Sequence, residues 1–354
     1  MAAQLPPDLP KTVKTVLQED YASDTLTLKQ TPLPVPTAPD DVLIQVHATS
    51  PCKGELTWGR NFPGLVPPDK LPVVSQEISG RVVAASSADS PFRVGDEVFG
   101  RLSFTRPGGA REYTIAAAAE LALKPRALSF LEAAATPLSA LTAWQAAFVH
   151  GPLDAAALTA GDDAAAADAR ARNARLRVLV TGAGGGVGRF LVQLAALAGA
   201  GAVVAVAGGG DGQEAALRAL GATDVVDYHV QSAAAWVAGD AAGRECDLVV
   251  DGAGGSATAD CWGVVKEGGT LLCLAADPNA ARPAGNTKKP AKASWFLVES
   301  LGSQLATIAK LIDGGKLRPT IDSVFELDNY AEAFERLESG KAKGKIVIKV
   351  DGLV

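Results

Sequence analysis

Five glycines fall within seven positions, Gly182 to Gly188, in the stretch RVLVTGAGGGVGRFLVQLA at 177–195. Glycine loses the most conformational freedom on folding, so such a cluster is kept where backbone must turn tightly or approach something closely. The cluster follows an apolar strand, RVLVT, and opens a helix whose apolar face carries Val187, Phe190 or Leu191, Leu194 and Ala198. Strand, glycine turn and helix in that order are the setting of a dinucleotide-binding loop. Gly182, Gly185 and Gly188 form GxxGxxG. The first suits a tight turn, the second the close approach of a pyrophosphate, and the third helix-on-strand packing. The helix N-terminus adds unpaired N–H groups and a positive dipole end. Gly186 and Val187 complete the candidate cofactor loop.

From 177 onward, apolar strands RVLVTG, AVVAVAG, DVVDYHV, CDLVVDG and TLLCLAA alternate with helical stretches, and SWFLVES reads as a sixth strand. Such alternation implies a parallel, doubly wound α/β sheet of the Rossmann kind. The first 125 residues read instead as β-rich, with VLIQVHA and EISGRVVAA separated by Pro and Gly turns. The tail RPTIDSVFELDNYAEAFERLESGKAKGKIVIKV returns to strand, helix, strand. The expected borders are a β-rich domain at 1–128, completed by 318–354, and a dinucleotide-binding domain at 129–317. Within the latter, 152–175 (PLDAAALTAGDDAAAADARARNAR) is low in complexity and reads as a surface insertion, a frayed helix without chemistry.

The formal charge of −6 argues against a nucleic-acid or anionic-membrane surface, which needs clustered Lys and Arg. No stretch approaches 18 uninterrupted apolar residues, and the N-terminal segment has no apolar run of a signal peptide. Four cysteines (Cys52, Cys246, Cys261, Cys273) form no CxxC and read as reduced thiols. A cytoplasmic protein acting on a small molecule is expected.

The end of the second strand of the alternating region bears on which dinucleotide is held. An NAD site usually has Asp or Glu there, about 20 residues on, for the ribose 2′-hydroxyl. Here the strand ends at Ala207, followed by three glycines, so a 2′-phosphate is not repelled and NADPH is favoured. NADH stays open, because Asp211 would be able to swing back toward a ribose and no Lys or Arg follows until Arg218.

The β-rich front, then GDEVFG, GGAREYTI, PLSALTAWQA, the glycine loop and the closing LIDGGKLRPTID…GKIVIKV resemble the medium-chain dehydrogenase/reductase superfamily. Within it, the chain is similar to the zinc-independent quinone oxidoreductases and enone reductases, the zeta-crystallin group. The resemblance implies a GroES-like fold for the front and tail. Zinc members of the superfamily carry a Cys, a Gly-His-Glu and a third ligand before a Thr. This chain has SPCKGEL, VSQEISG and TPLSALTAW there, with Cys52 at the first ligand position, Gln76 for His and Leu138 for the third ligand. An amide and an isobutyl group do not complete a tetrahedral zinc site, so no metal is expected. The cysteine lobe of a structural zinc is also missing from the sequence. Without a Lewis acid, hydride transfer to a quinone or an α,β-unsaturated carbonyl is the favoured chemistry, because its charge delocalises onto one oxygen. An enoyl reductase of a biosynthetic pathway and a low-turnover, crystallin-like NADPH-binding protein are the alternatives. A homodimer is implied by the family alone.

The resemblance also assigns residues. Thr142 matches a Thr facing the nicotinamide, or else is a helix-interior Thr bonding its own backbone. Gly252 and Ala253 match the passage beside the nicotinamide ribose. Leu274 and Ala275, then Phe296, Leu297 and Val298, would flank the carboxamide. Tyr228 and Lys345 match positions that reach cofactor phosphates, whereas the family's usual basic residue near a 2′-phosphate falls close to Gln213. For the acceptor, Ser50 would donate to a carbonyl, Lys53 would meet charge, and Trp58 would wall a flat ring in an apolar cleft.

Overall fold

The computed structural model describes residues 5–160, 164–210 and 212–350. The first part of the chain carries β1 (Thr12–Leu17), β2 (Thr27–Pro32), β3 (Asp41–Ser50), β4 (Glu77–Ala85), β5 (Glu97–Arg101), β6 (Tyr113–Ala117) and β7 (Leu121–Leu123). The middle carries β8 (Arg177–Thr181), β9 (Ala202–Ala207), β10 (Asp224–Asp227), β11 (Cys246–Asp251), β12 (Val265–Cys273) and β13 (Lys292–Trp295). The tail adds β14 (Ile321–Glu326) and β15 (Lys345–Lys349). The chain forms two compact units: residues up to Leu141 with those from Glu299 onward, and Thr142–Val298.

In the first unit the sheet order is β14-β15-β3-β4-β5-β7, with β6 also paired to β3. Strand β15 runs antiparallel to β3, which inserts the C-terminal tail beside a strand of the front half. Its core gathers Val42, Ile44 and Val46 of β3, Ile78 of β4, and Ile346 and Ile348 of β15, all essentially without exposure. Strands β3 and β15 are buried almost throughout, because Val347, on the opposite face of β15 from Ile346 and Ile348, packs with Ala48, Ala134 and Ala135. The borders expected at 128/129 and 317/318 fall inside this unit. Helix Gly302–Asp313 joins it because its start lies against β7, where Gly302 leaves no room for a Cβ beside the Leu121 carbonyl. The Asp313 carboxylate also accepts the Ala127 N–H at 3.0 Å.

The second unit is a parallel sheet in the order β10-β9-β8-β11-β12-β13. In sequence order its strands lie 3-2-1-4-5-6, and the order reverses between β8 and β11. Strands such as VLVT and AVVAVA are buried continuously, as befits a sheet covered on both faces. The sixth strand is Lys292–Trp295; SWFLVES continues it only through Trp295, and Phe296–Val298 run on without ladder bonds. The 152–175 segment is more ordered than its composition implies, though 161–163 lie outside the described residues. Helix Ala164–Asn173 buries Ala166, Ala169 and Asn173. Asn173 donates to the Ala198 carbonyl at 2.9 Å, docking this helix on the end of the glycine-loop helix. Small residues suffice there because two helix backbones approach closely.

Candidate active site

The glycine loop leads from β8 into helix Gly186–Leu197. Gly182 has φ +63°, a left-handed turn that glycine adopts without a Cβ penalty. Gly185, the N-cap, has φ −81° and ψ 176°, open to any residue, and no side chain caps this helix. A Cβ on Gly185 would have one neighbour within 4 Å, the Gly182 carbonyl at 3.4 Å. Neither φ nor packing demands a glycine at 185; glycine is a good N-cap without a side chain, and the room it leaves at an uncapped helix N-terminus suits a phosphate. At Gly188 a Cβ would lie 2.5 Å from Ala183 Cα and from the Gly182 carbonyl. That glycine serves packing.

Asp251, at the end of β11 and fully buried, ties three strand ends together. One carboxylate oxygen accepts from Thr181 Oγ1 at 2.5 Å and from the N–H groups of Ala253 and Gly254 at 3.1 Å. The other accepts from Thr258 Oγ1 at 2.5 Å and Cys273 Sγ at 3.7 Å. Thr181 directly precedes the glycine loop, Ala253 and Gly254 follow β11, and Cys273 ends β12 just before Leu274 and Ala275. Dinucleotides bind outside the carboxyl ends of the strands at the switch point, so this carboxylate fixes the floor of that crevice. Nothing in the local sequence marked Asp251; its partners span 70 residues upstream and 22 downstream.

The remaining cofactor candidates of the second unit are placed as follows. Thr142 is buried in helix Pro137–Trp144. Gly252 sits where a Cβ would lie 3.1 Å from the Thr181 carbonyl, and Leu274 donates its N–H to the Asp251 carbonyl at 3.0 Å. Ala275 is exposed beside Gly254, Phe296 packs against His150 with centroids 4.3 Å apart, Leu297 is exposed and Val298 half-buried. Tyr228 is exposed and flanks the end of β9, with its hydroxyl 2.9 Å from where a Gly208 Cβ would be. The neighbouring Asp227 carboxylate accepts the N–H groups of Gly209 and His229 at 3.0 and 2.9 Å and so holds the loop after β9. Asp211 lies outside the described residues.

The first unit corrects two assignments. Lys345 is not a phosphate ligand: it is buried in β15, ion-paired with Glu77 and donating to the Pro51 carbonyl at 2.9 Å. Burial alone would weaken its charge, but the Glu77 carboxylate outweighs that and holds its pKa above the ordinary lysine value. Ser50 is no donor for an acceptor, because its hydroxyl is fully buried and donates to the Ile346 carbonyl at 2.6 Å. Lys53 is exposed beside Gly340. Trp58 is half-buried, packs edge-on to Phe104 at 5.5 Å and walls a small cavity with Tyr21, Glu55, Lys70 and Gln76. The cavity measures about 20 Å³, room for one oxygen-sized group and not for a quinone ring. Burial pushes the Glu55 carboxyl up to about 7, although the Cys52 and Ser75 N–H groups donate to it. Burial lowers Lys70 to about 8 and pushes the Cys52 thiol up to about 12, which disfavours its thiolate.

Residues 38–126 match the alcohol dehydrogenase GroES-like domain, and 220–348 match a zinc-binding dehydrogenase model. A probable zinc-binding oxidoreductase, mitochondrial, of Arthroderma benhamiae is 41% identical over 97% of this chain and 98% of its own length. The chain is a medium-chain dehydrogenase/reductase. It falls in the quinone oxidoreductase-like group of that superfamily: the quinone oxidoreductase of Coxiella burnetii superposes with a TM-score of 0.76 at 26% identity, over 96% of this chain and all of that one. A 2-methylene-furan-3-one reductase of Solanum lycopersicum is 31% identical over 96% of this chain and 80% of its own. The fold is accordingly GroES-like plus Rossmann, and the protein is an oxidoreductase working with a nicotinamide cofactor. No described helix is long and apolar enough to cross a membrane.

The family name implies zinc, and the residues do not fit it. Glu77 is committed to the Lys345 ammonium and to the Leu138 N–H at 2.8 Å. The side chains of Gln76 and Leu138 bring an amide and an apolar group to the two remaining ligand positions. Among the described residues no three His, Cys, Asp or Glu side chains gather to hold a metal ion. The Lys345 ammonium already neutralises Glu77, and the Glu55 carboxyl beside Cys52 is taken by the Cys52 and Ser75 N–H groups, so a second cation would meet repulsion and no open carboxylate.

Proposed function

We propose that this medium-chain dehydrogenase/reductase is a zinc-independent NADPH-dependent reductase of α,β-unsaturated carbonyls or quinones. The observation that carries the reading is the space at Gly185 before an uncapped helix N-terminus, built where the sheet order reverses. Bound there, a nicotinamide dinucleotide would supply the hydride. The chain's own part is to hold that cofactor. The first-turn N–H groups and the helix dipole receive the pyrophosphate at Gly185–Gly188. Asp251 keeps the 252–254 segment and the end of β12 in register with the glycine loop. Support for NADPH comes from β9, which ends without a carboxylate of its own, and from the Tyr228 hydroxyl beside Gly208.

The acceptor class follows from the donor set in the first unit. Stabilising an alkoxide from a simple alcohol calls for a Lewis acid, and Gln76, Leu138 and the Lys345–Glu77 pair do not build a site for one. An enolate or hydroquinone spreads its charge over conjugated atoms and needs only hydrogen-bond donors. The tomato relative is named for reducing a conjugated ketone, and the Coxiella neighbour for a quinone. The test is NADPH consumption against a panel of enones and quinones, with primary and secondary alcohols plus NADP+ as the contrast. Turnover of alcohols alone would overturn the proposal.

A further inference from the structure

Arg189 follows the last glycine of the loop and is 7% exposed, in the first turn of helix Gly186–Leu197. Its Nε donates to the Gly184 carbonyl at 2.9 Å and its Nη2 to Gln213 Oε1 at 3.2 Å. Both partners are neutral oxygens, and among the described residues no carboxylate pairs with this guanidinium. The bond to Gln213 is also longer than the 2.7–2.9 Å usual when a cation meets a carboxylate or phosphate. Burying a guanidinium without a counter-ion is costly, and the cost is expected where an anion arrives later. Desolvation here lowers the Arg189 pKa, in the direction a missing counter-ion predicts.

The position says which anion. Gln213 opens helix Gln213–Ala219, the first element after the β9 loop, so the guanidinium bridges the glycine loop to the segment that follows the second strand of the sheet. In a sheet of this order the adenosine ribose lies between those two segments. The Gln213 amide occupies the space a Cβ on Gly184 would need, so the end of this side chain lies directly on the glycine loop beside the guanidinium.

We propose that Arg189 is the counter-ion of the 2′-phosphate of NADPH, with the Gln213 amide oxygen holding that place until the phosphate binds. The proposal rests on the NADPH reading and names the residue that discriminates. It does not involve the pyrophosphate, which NADH carries as well.

The test measures dissociation constants of NADPH and NADH by fluorescence titration for the wild type, Arg189→Met and Arg189→Lys. Competition by 2′,5′-ADP and by 5′-AMP is measured alongside. The wild type should prefer NADPH, and Arg189→Met should weaken NADPH about tenfold or more, ~1.4 kcal/mol, while leaving NADH within about threefold. Arg189→Lys should recover part of the loss, and 2′,5′-ADP should lose its advantage over 5′-AMP in the Met variant. Equal weakening of both dinucleotides would make Arg189 a staple of the loop or a pyrophosphate ligand, and overturn the assignment. So would a wild type that binds NADH and NADPH equally, an outcome that leaves the oxidoreductase reading standing. A wild type that binds neither would end both. Competition by the two adenosine phosphates on the wild type stays informative if the Met variant does not fold.

Discussion

Valine placed at Gly185 and at Gly188 separates a glycine kept for a ligand from one kept for packing. At 185 the backbone is extended, and the nearest protein atom to the new Cβ is 3.4 Å away, an ordinary contact. The apo fold should absorb Gly185→Val with a change of no more than about 1 kcal/mol, since valine is a poorer N-cap than glycine while the stiffened unfolded chain offsets part of that cost. At 188 the Cβ would sit 2.5 Å from Ala183 Cα and the Gly182 carbonyl, both backbone atoms, so the loop itself must shift. Overpacking of that kind costs about 1–3 kcal/mol. Cofactor binding should rank the other way in mechanism. At 185 the valine fills the phosphate space and removes charge-assisted bonds of ~1.5–3 kcal/mol each, so losing one weakens NADPH about 10- to 100-fold. Melting curves without cofactor and NADPH titrations on both variants give the four numbers. Normal NADPH affinity in folded Gly185→Val would show that the loop cradles no cofactor and would remove the basis of the functional proposal.

The purified protein should hold no stoichiometric zinc, and a chelator should leave activity and melting temperature unchanged; one tightly held zinc per chain by elemental analysis would contradict the closed site at Lys345–Glu77. Asp251→Asn keeps the shape but turns one of the two oxygens that share five donors into an N–H donor facing two or three of them, so it should destabilise the apo protein by about 1–3 kcal/mol and also raise the NADPH dissociation constant. An unchanged dissociation constant in a folded variant would show that the 252–254 segment needs no such anchor. For Glu55, burial raises the carboxyl from 4.5 to about 7, so the folded state binds the proton more tightly than the unfolded. Its contribution is full below pH 4.5 and is lost as the pH climbs to about 7, a change on the order of 3 kcal/mol at ~1.4 per unit. Glu55→Gln should flatten that part of the stability profile, measured by denaturant unfolding between those limits, and an unaltered slope would assign it to the other buried carboxyl raised by desolvation, Glu77.

What could be read along the chain was whatever depends on neighbours in sequence. The glycine loop declares itself because turn, approach and packing all lie within seven residues, and each glycine matches a distinct local geometry. The parallel, doubly wound sheet follows from alternating apolar strands and helices, whereas the strand order 3-2-1-4-5-6 is seen in the structure. Ser50 failed because residue type does not reveal a partner: its acceptor, Ile346, lies 296 positions away on β15. The segment around 164–173 looked like an insertion because alanine-rich composition carries little hydrophobic signal, yet small side chains are what let helix Ala164–Asn173 lie close to the Ala198 end of its neighbour. SWFLVES overran its strand because apolar residues also serve beyond a ladder, as Phe296 does against His150. Asp251 carried no signal at all, since one acidic residue ending an apolar strand has many ordinary explanations.

Lys345 and Arg189 show why charge is the hardest property to place from sequence. Both are cations in or beside glycine-bearing motifs, GKIVI and GVGRF, and both end up more than nine-tenths buried. The resemblance pointed to Lys345 as a phosphate ligand and assigned Arg189 nothing. The difference lies in what each cation meets. Lys345 has the Glu77 carboxylate and a carbonyl, so its charge is neutralised inside the protein and nothing is left to offer a ligand. Arg189 has a carbonyl and an amide oxygen, which satisfy two of its N–H groups and none of its charge. On the proposal above, selection of the 2′-phosphate would then rest on a cation supplied from the glycine-loop helix, since no basic residue follows β9 before Arg218. The counter-ion, which only the folded chain reveals, decides which of two similar residues is structural and which waits for a ligand.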